Sequence, residues 1–154
     1  MLYRLFNPSD FPQLYGIEEI CFQPPFRFSR ALMRRLTESA RTATWIAEKA
    51  GQMAGFAIVD LKTNPDPAAA YIQTLEVTPE RRGLGIGSEL LCRIESSARE
   101  AGAQTIWLHV DTENSTGIRL YEAHGYTRQG REEHYYARHR PAFVYRKTLT
   151  SAEL

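Results

Sequence analysis

The residues with the most chemistry in this 154-residue chain stand together: Arg81-Arg82-Gly83-Leu84-Gly85-Ile86-Gly87-Ser88. They follow the strand-like run Leu75-Glu76-Val77 and lead into Glu89-Leu90-Leu91. Glycines at alternate positions let the backbone turn tightly and leave main-chain N–H groups unshielded by any Cβ. The helix that follows adds unpaired donors at its N-terminus and the positive end of its dipole. Arg81 and Arg82 flank the same point, where a guanidinium can form charge-assisted hydrogen bonds to phosphate oxygens. The chemistry is capture of an anion, most simply a pyrophosphate. No Gly-Lys-Ser/Thr follows the glycines, so this is not a Walker P-loop, and Gly-x-Gly-x-Gly is not the dinucleotide fingerprint. A purely structural loop of helix-capping glycines would share part of the pattern.

A strand must deliver this loop and a helix must leave it. Residues 2–6 alternate apolar and polar as a half-buried strand does. Asn7-Pro8-Ser9-Asp10 supplies turn and cap chemistry, and Leu14, Ile17, Ile20 and Cys21 recur at helical spacing over residues 11–22. Pro24-Pro25 ends that helix, and Ser29 caps a second with Leu32, Met33 and Leu36 on one stripe. Residues 44–48 and 54–60 read as hairpin strands about Gly51-Gln52, residues 62–67 as a loop, and residues 70–77 as a further strand.

After Val77 a helix is expected over residues 85–101, with Ile86, Leu90, Leu91, Ile94 and Ala98 on one stripe and Gly102 as its stop. A strand follows at 105–110, a helix at 115–124 closed by Gly125, and two strands at 126–131 and 142–149. This order predicts an α/β domain, one largely antiparallel sheet carrying helices on its faces. It is a single domain over residues 1–149, with 150–154 a frayed tail.

Composition narrows the classes. The charge balance is 19 basic against 18 acidic residues, net +1, which is not the footprint of a nucleic-acid binder. All of the basic residues except Lys49, Lys62 and Lys147 are arginine, the residue whose planar fork suits phosphate and carboxylate. Two cysteines, Cys21 and Cys92, are too few for a disulfide framework. No apolar run approaches the roughly 18 residues of a membrane span, and no signal peptide is visible. A soluble, cytoplasmic protein is expected, with no membrane or nucleic-acid partner and no metal, acting as a monomer or homodimer.

Arg82-x-x-Gly85-x-Gly87 behind a Leu-x-Val strand end resembles the acyl-CoA-binding motif of the GNAT N-acetyltransferases. The likeness extends to Leu108-His109-Val110, Asn114 and Leu120-Tyr121-Glu122-Ala123-His124-Gly125-Tyr126, and the element order agrees over nearly the whole chain. Within the family, Phe22-x-x-Pro25-Phe26 and Tyr135-Tyr136 are most similar to the ribosomal-protein N-terminal-alanine acetyltransferases. The resemblance implies the GNAT fold, a mixed, mostly antiparallel sheet whose central parallel strand pair splays, with helices on both faces. It also implies acetyl-CoA as cosubstrate in the splay and a primary amine as acceptor, most favourably a protein or peptide N-terminus. The alternatives are a small-molecule amine, or an acyl-CoA-binding module without turnover.

Carried over to this chain, the pantetheine pairs with the main chain of Leu75, Glu76 and Val77, as an added strand does. The pyrophosphate sits on the amides of Gly83, Leu84, Gly85, Ile86, Gly87 and Ser88, with Arg82 beside it. Asn114 either hydrogen-bonds the pantetheine arm or caps its helix. Val77 N–H is the candidate for stabilising the charge that develops on the thioester oxygen. Tyr121 is the candidate acid for the departing thiolate, or else a core tyrosine. The base has three readings: His109, which stands where the ribosomal-protein enzymes carry glutamate; Glu76 working through a water; or neither. His124 reads as an exposed helix end. Cys92 reads as core, with no sign of an activated thiolate. For the acceptor, the family's regions hold Phe26, Arg27, Phe28 and Arg30, then the loop residues from Arg131 to Arg140. Aromatics with acidic groups suit a peptide N-terminus, arginines an anionic small molecule, and an ordinary solvated loop remains open.

Overall fold

The computed structural model describes residues 1–62 and 68–149. The expected loop beyond Lys62 and the tail at 150–154 lie outside the described residues. The strands are β1 (Leu2–Leu5), β2 (Thr42–Lys49), β3 (Gln52–Asp60), β4 (Ala69–Val77), β5 (Thr105–Asp111), β6 (Thr127–Ala137) and β7 (Arg140–Thr148). The helices are α1 (Phe11–Cys21), α2 (Arg30–Glu38), α3 (Ile86–Glu100) and α4 (Ser115–Ala123). One sheet orders the strands β1-β2-β3-β4-β5-β7-β6. Every neighbouring pair is antiparallel except β4 and β5. This is the expected architecture.

β3 shows why the sheet is covered on both sides. Its Phe56 and Ile58 pack with Phe11, Leu14, Ile17 and Met33 of α1 and α2. Its Ala57 and Val59 pack with Ile86, Leu90, Leu91, Ile94 and Ala98 of α3 on the opposite face. A strand buried on both faces reads as a continuous apolar run, as residues 53–59 do. Full burial of a Leu, Ile or Phe contributes about 1.5–3 kcal/mol, whereas an exposed ion pair such as Arg34–Glu38 contributes about 1 kcal/mol at most. The helices are therefore held by their apolar stripes. Ser29 caps α2 as expected, its side chain accepting from Leu32 N at 3.1 Å.

The feature that creates the site is an interruption. β4 and β5 pair only at Ala69↔Thr105, Ala70↔Ile106 and Tyr71↔Trp107. Beyond that, β4 runs on to Val77 and β5 to Asp111 with no rung between them. A register shift between Ile58 and Val59 in the β3–β4 ladder lies beside the divergence, and such a bulge bends and twists its strand. β5 instead stays paired with β7 from Thr105↔Thr148 to Asp111↔Ala142. The splay follows.

Three expectations are corrected. Ile20 is 61% exposed, and Glu18, one turn on from Leu14, takes its place on the buried stripe of α1. Cys92 is exposed, because the buried stripe of α3 runs through Leu90, Leu91 and Ile94 and leaves Cys92 on the outer face. The residues from Glu132 to Ala137, read as loop, belong to β6. That strand is almost wholly exposed and its register breaks twice, so no alternation marks it in the sequence.

Candidate active site

The glycine loop enters α3 as its spacing suggests. Gly85 is the N-cap residue at φ 83°, a left-handed conformation that glycine adopts without Cβ strain. Arg82 turns back on the strand, donating from Nε to Val77 O at 3.0 Å and from Nη2 to Cys21 Sγ at 3.5 Å. Thr78 N donates to Ala54 O at 2.9 Å, so by the alternation of an antiparallel ladder Val77 N–H points away from β3, into the splay. The same alternation turns the main chain of Glu76 back toward β3. There its carbonyl approaches Gly55 so closely that a Cβ on Gly55 would lie 2.4 Å from it.

A cavity of about 680 Å³ fills the splay. It is lined by Leu75, Glu76, Val77, Arg82, Gly83, Gly85, Ile86, Gly87, Ser88, His109, Asn114 and Tyr121. Leu84 is the one expected site residue outside the lining, its side chain 69% exposed. Asn114 caps α4, its Oδ1 accepting from Gly117 N at 3.0 Å. Tyr121 is buried, its ring edge-on to Tyr126 at 5.6 Å, and burial raises its hydroxyl above the ordinary tyrosine range. His124 is half-buried, with Nε2 3.0 Å from Ser88 Oγ, so the expected solvent-exposed end instead braces the loop helix.

A second cavity, of about 790 Å³, opens on the α1–α2 side of the same strands. His109, Gln73, Phe26, Phe28 and Tyr136 line both cavities. His109 is 7% exposed and engaged at both ring nitrogens. Nε2 lies 3.0 Å from Glu132 Oε1, and since a carboxylate only accepts, Nε2 carries the proton. With the ring in its neutral form, Nδ1 accepts from Tyr71 O–H at 2.8 Å. Tyr135 stacks on His109 at 4.0 Å, and Trp107 meets Tyr71 edge-on at 4.5 Å. Burial, followed by the Tyr135 hydroxyl, raises Tyr71 far above the ordinary range, so it stays a neutral donor.

Sequence reasoning missed Tyr71, and it placed Glu132 in the acceptor region without pairing it to His109; both meet His109 only because β4, β5 and β6 converge here. It also missed Glu18, for which a signal existed: a carboxylate on the apolar stripe of α1. The arginines near the second cavity are mostly committed. Arg27 donates to Phe22 O and Glu19 O, Arg30 and Arg34 lie over Tyr15 and Phe11, and Arg140 pairs with Asp111 and covers Phe26. Among the described residues no cluster of His, Cys, Asp or Glu has the makings of a metal site, and no helix is long and apolar enough to cross a membrane.

A strand pair splayed around a cavity, with a glycine loop at one end and a helix N-terminus beneath, defines an acyl-CoA-type transferase cleft. The sequence profile of the Acetyltransferase (GNAT) family matches residues 11–126, and the chain belongs to that family. It is 30% identical over 127 residues to the [ribosomal protein bS18]-alanine N-acetyltransferase of Haemophilus influenzae, covering 82% of each chain. It is 32% identical over 87 residues to a mycothiol acetyltransferase of Thermobispora bispora, 54% of this chain but only 30% of that one. The chain spans less than half the length of several such relatives. In structure it is similar to the ribosomal-protein-S18-alanine N-acetyltransferase of Escherichia coli, with a TM-score of 0.83 at 22% identity over 99% of this chain and 97% of that one.

Proposed function

We propose that the protein transfers the acetyl group of acetyl-CoA directly to a primary amine, most favourably the α-amino group of a protein or peptide N-terminus. The observation that carries this reading is His109 standing where the two cavities meet, with a proton relay already formed on its ring. The relative that matches along most of both chains, an alanine N-acetyltransferase, supports the choice of acceptor.

Acetyl-CoA supplies an activated acyl carbon and a thiolate leaving group. The amides of Gly83 to Ser88 hold its pyrophosphate, and the outward main chain of Leu75 and Val77 pairs with the pantetheine. Val77 N–H donates to the carbonyl oxygen as negative charge develops there. An amine arrives protonated near neutral pH and must lose a proton to attack. Tyr71 takes that proton on its oxygen, through a water, while passing its own to His109 Nδ1. The imidazolium so formed is held by Glu132 through Nε2–H. Tyr121, kept protonated by its burial, donates to the departing sulfur. Cys21 is pushed up to about 11 by burial and then by Glu76, so no thiolate is offered for a covalent acetyl-cysteine route.

The test is release of CoA from acetyl-CoA against peptides with free or blocked N-termini and against a panel of small amines. Turnover is expected with free N-termini beginning with Ala or Ser and none with blocked ones. Turnover confined to small amines would favour the second reading, for which the mycothiol and streptothricin acetyltransferases among the relatives speak. Tight acetyl-CoA binding without any turnover would leave only a binding module.

A further inference from the structure

Two carboxyl groups that the transfer does not use face each other at the base of the splay. Glu18 of α1 is 1% exposed and Glu76 of β4 is 3% exposed, both line the cavity in the splay, and the Glu18 carboxyl acts on that of Glu76 as its neighbour. Each spends one oxygen on a donor: Glu18 Oε2 accepts from Phe28 N at 2.9 Å, and Glu76 Oε2 from Thr74 Oγ1 at 2.7 Å. The other oxygen of each, Oε1, is buried and has no donor among the described residues. Two ionised carboxylates so placed would repel, and their burial leaves that repulsion poorly screened. One proton between them turns the clash into a short, charge-assisted O–H···O⁻ bond.

We propose that Glu18 and Glu76 are positioning residues, which share a single proton across the α1–β4 interface and thereby latch residues 22–29 over the cleft. Through Phe28 N, Glu18 fixes the segment whose Phe26 and Phe28 form a common wall of both cavities. The latch is released when the shared proton is lost, because both carboxyls then carry charge. Burial, followed by the Glu18 carboxyl, raises Glu76 well above the usual carboxylate range, whereas Thr74 and Arg82 oppose the rise. Among the described residues no cation is hydrogen-bonded to either carboxyl. Arg82 is spent on Val77 O and Cys21 Sγ, and Cys21 on α1 stays a thiol. β3 offers only Phe56 opposite Glu76, and His109 of β5 and Tyr121 of α4 line the same cavity.

Describing this wall as the acceptor side rests on the acetyl-transfer reading; the latch does not, and its test needs no turnover. The full chain, labelled with ¹³C at the glutamate carboxyls, is titrated by NMR from about pH 4 to about pH 10, spanning the ordinary glutamate value of about 4.3. Amide-exchange protection factors at residues 26–28, which remove the intrinsic rise of exchange with pH, are followed alongside. The wild type should show one carboxyl step displaced far above the ordinary range, absent from both Glu18→Gln and Glu76→Gln. Protection at Phe28 should fall about tenfold across that step, the change that one unit in pKa represents. Glu76→Gln, which keeps a donor for Glu18, should hold Phe28 protected at every pH, and Glu76→Ala at none. Two ordinary carboxyl steps would overturn the proposal, as would Phe28 protection that ignores both pH and the difference between Gln and Ala. A displaced step in a protein that acetylates nothing would sink the transfer reading and leave the latch standing.

Discussion

The two sides of the cleft are built in opposite ways. The side proposed for acyl-CoA is made by backbone: one contiguous stretch from Leu75 to Ser88 supplies a strand edge, a turn and a helix N-terminus. The side proposed for the acceptor is made by side chains from separate segments, Phe26 and Phe28 before α2, Tyr71 on β4, His109 on β5, and Glu132 and Tyr135 on β6. A backbone site depends on conformation and tolerates side-chain change except where glycine is required. A side-chain site depends on identity and loses function atom by atom.

The sharpest break of this contrast is at Gly87. A Cβ there would sit 3.5 Å from Leu120, 3.6 Å from Leu75 and 3.9 Å from Val77, which is ordinary contact. Gly87→Ala should therefore keep acetyl-CoA affinity within about threefold, or about 0.7 kcal/mol. Gly87→Leu has no room beside the strand end and should abolish measurable binding. Calorimetric titration with acetyl-CoA separates the two; a Leu variant that binds normally would remove the loop from the cofactor site.

On the other side, His109→Ala and Tyr71→Phe should each lower turnover by about 10²–10⁴-fold, the usual worth of a positioned acid or base, with acetyl-CoA affinity unchanged. The double variant should lose little more than either single one, since the two act as a unit. Steady-state rates alongside the same titration decide this. Additive losses would mean that Tyr71 and His109 serve separate functions.

That contrast also explains what could be read from residues alone. The glycine loop, the stripe of α3 and the order of elements were legible because each is local: spacing within some fifteen residues determines it. The splay was expected only through family resemblance, for nothing in β4 or β5 announces that pairing stops at Tyr71↔Trp107. The relay on His109 was illegible because its partners lie 38 and 23 residues away in sequence. β6, which brings Glu132 and Tyr135, is exposed along most of its length and carries no periodic signal. Glu18 is the intermediate case. Its position one turn from Leu14 marked it as buried, but only Glu76 across the interface gives that burial a consequence.

Tyr121 tests whether the two sides meet at the sulfur. Its hydroxyl makes no side-chain hydrogen bond among the described residues, and its ring already packs on Tyr126. Tyr121→Phe keeps that ring, so stability and acetyl-CoA affinity should hold while turnover falls by about ten- to a hundredfold. Because burial raises the hydroxyl, the wild type should show no loss of this acid as pH climbs toward the ordinary tyrosine value of about 10.

The smallest effect is expected at Cys21, which touches both halves of the argument. Its thiol donates weakly to Val77 O at 3.6 Å and meets the Arg82 guanidinium. If a thiolate carried the acetyl group, Cys21→Ala would be inactive. Burial and the neighbouring Glu76 hold the thiol protonated up to about pH 11, so the reactive form is scarce at neutral pH and grows as pH rises toward that value. Alkylation by iodoacetamide should accordingly be slow near neutrality and accelerate with pH, and Cys21→Ala should keep turnover within about twofold, since a thiol is a weak donor. Arg82 Nε still holds Val77 O in that variant, so the strand end, and with it the N–H that faces the splay, stays where direct transfer needs it.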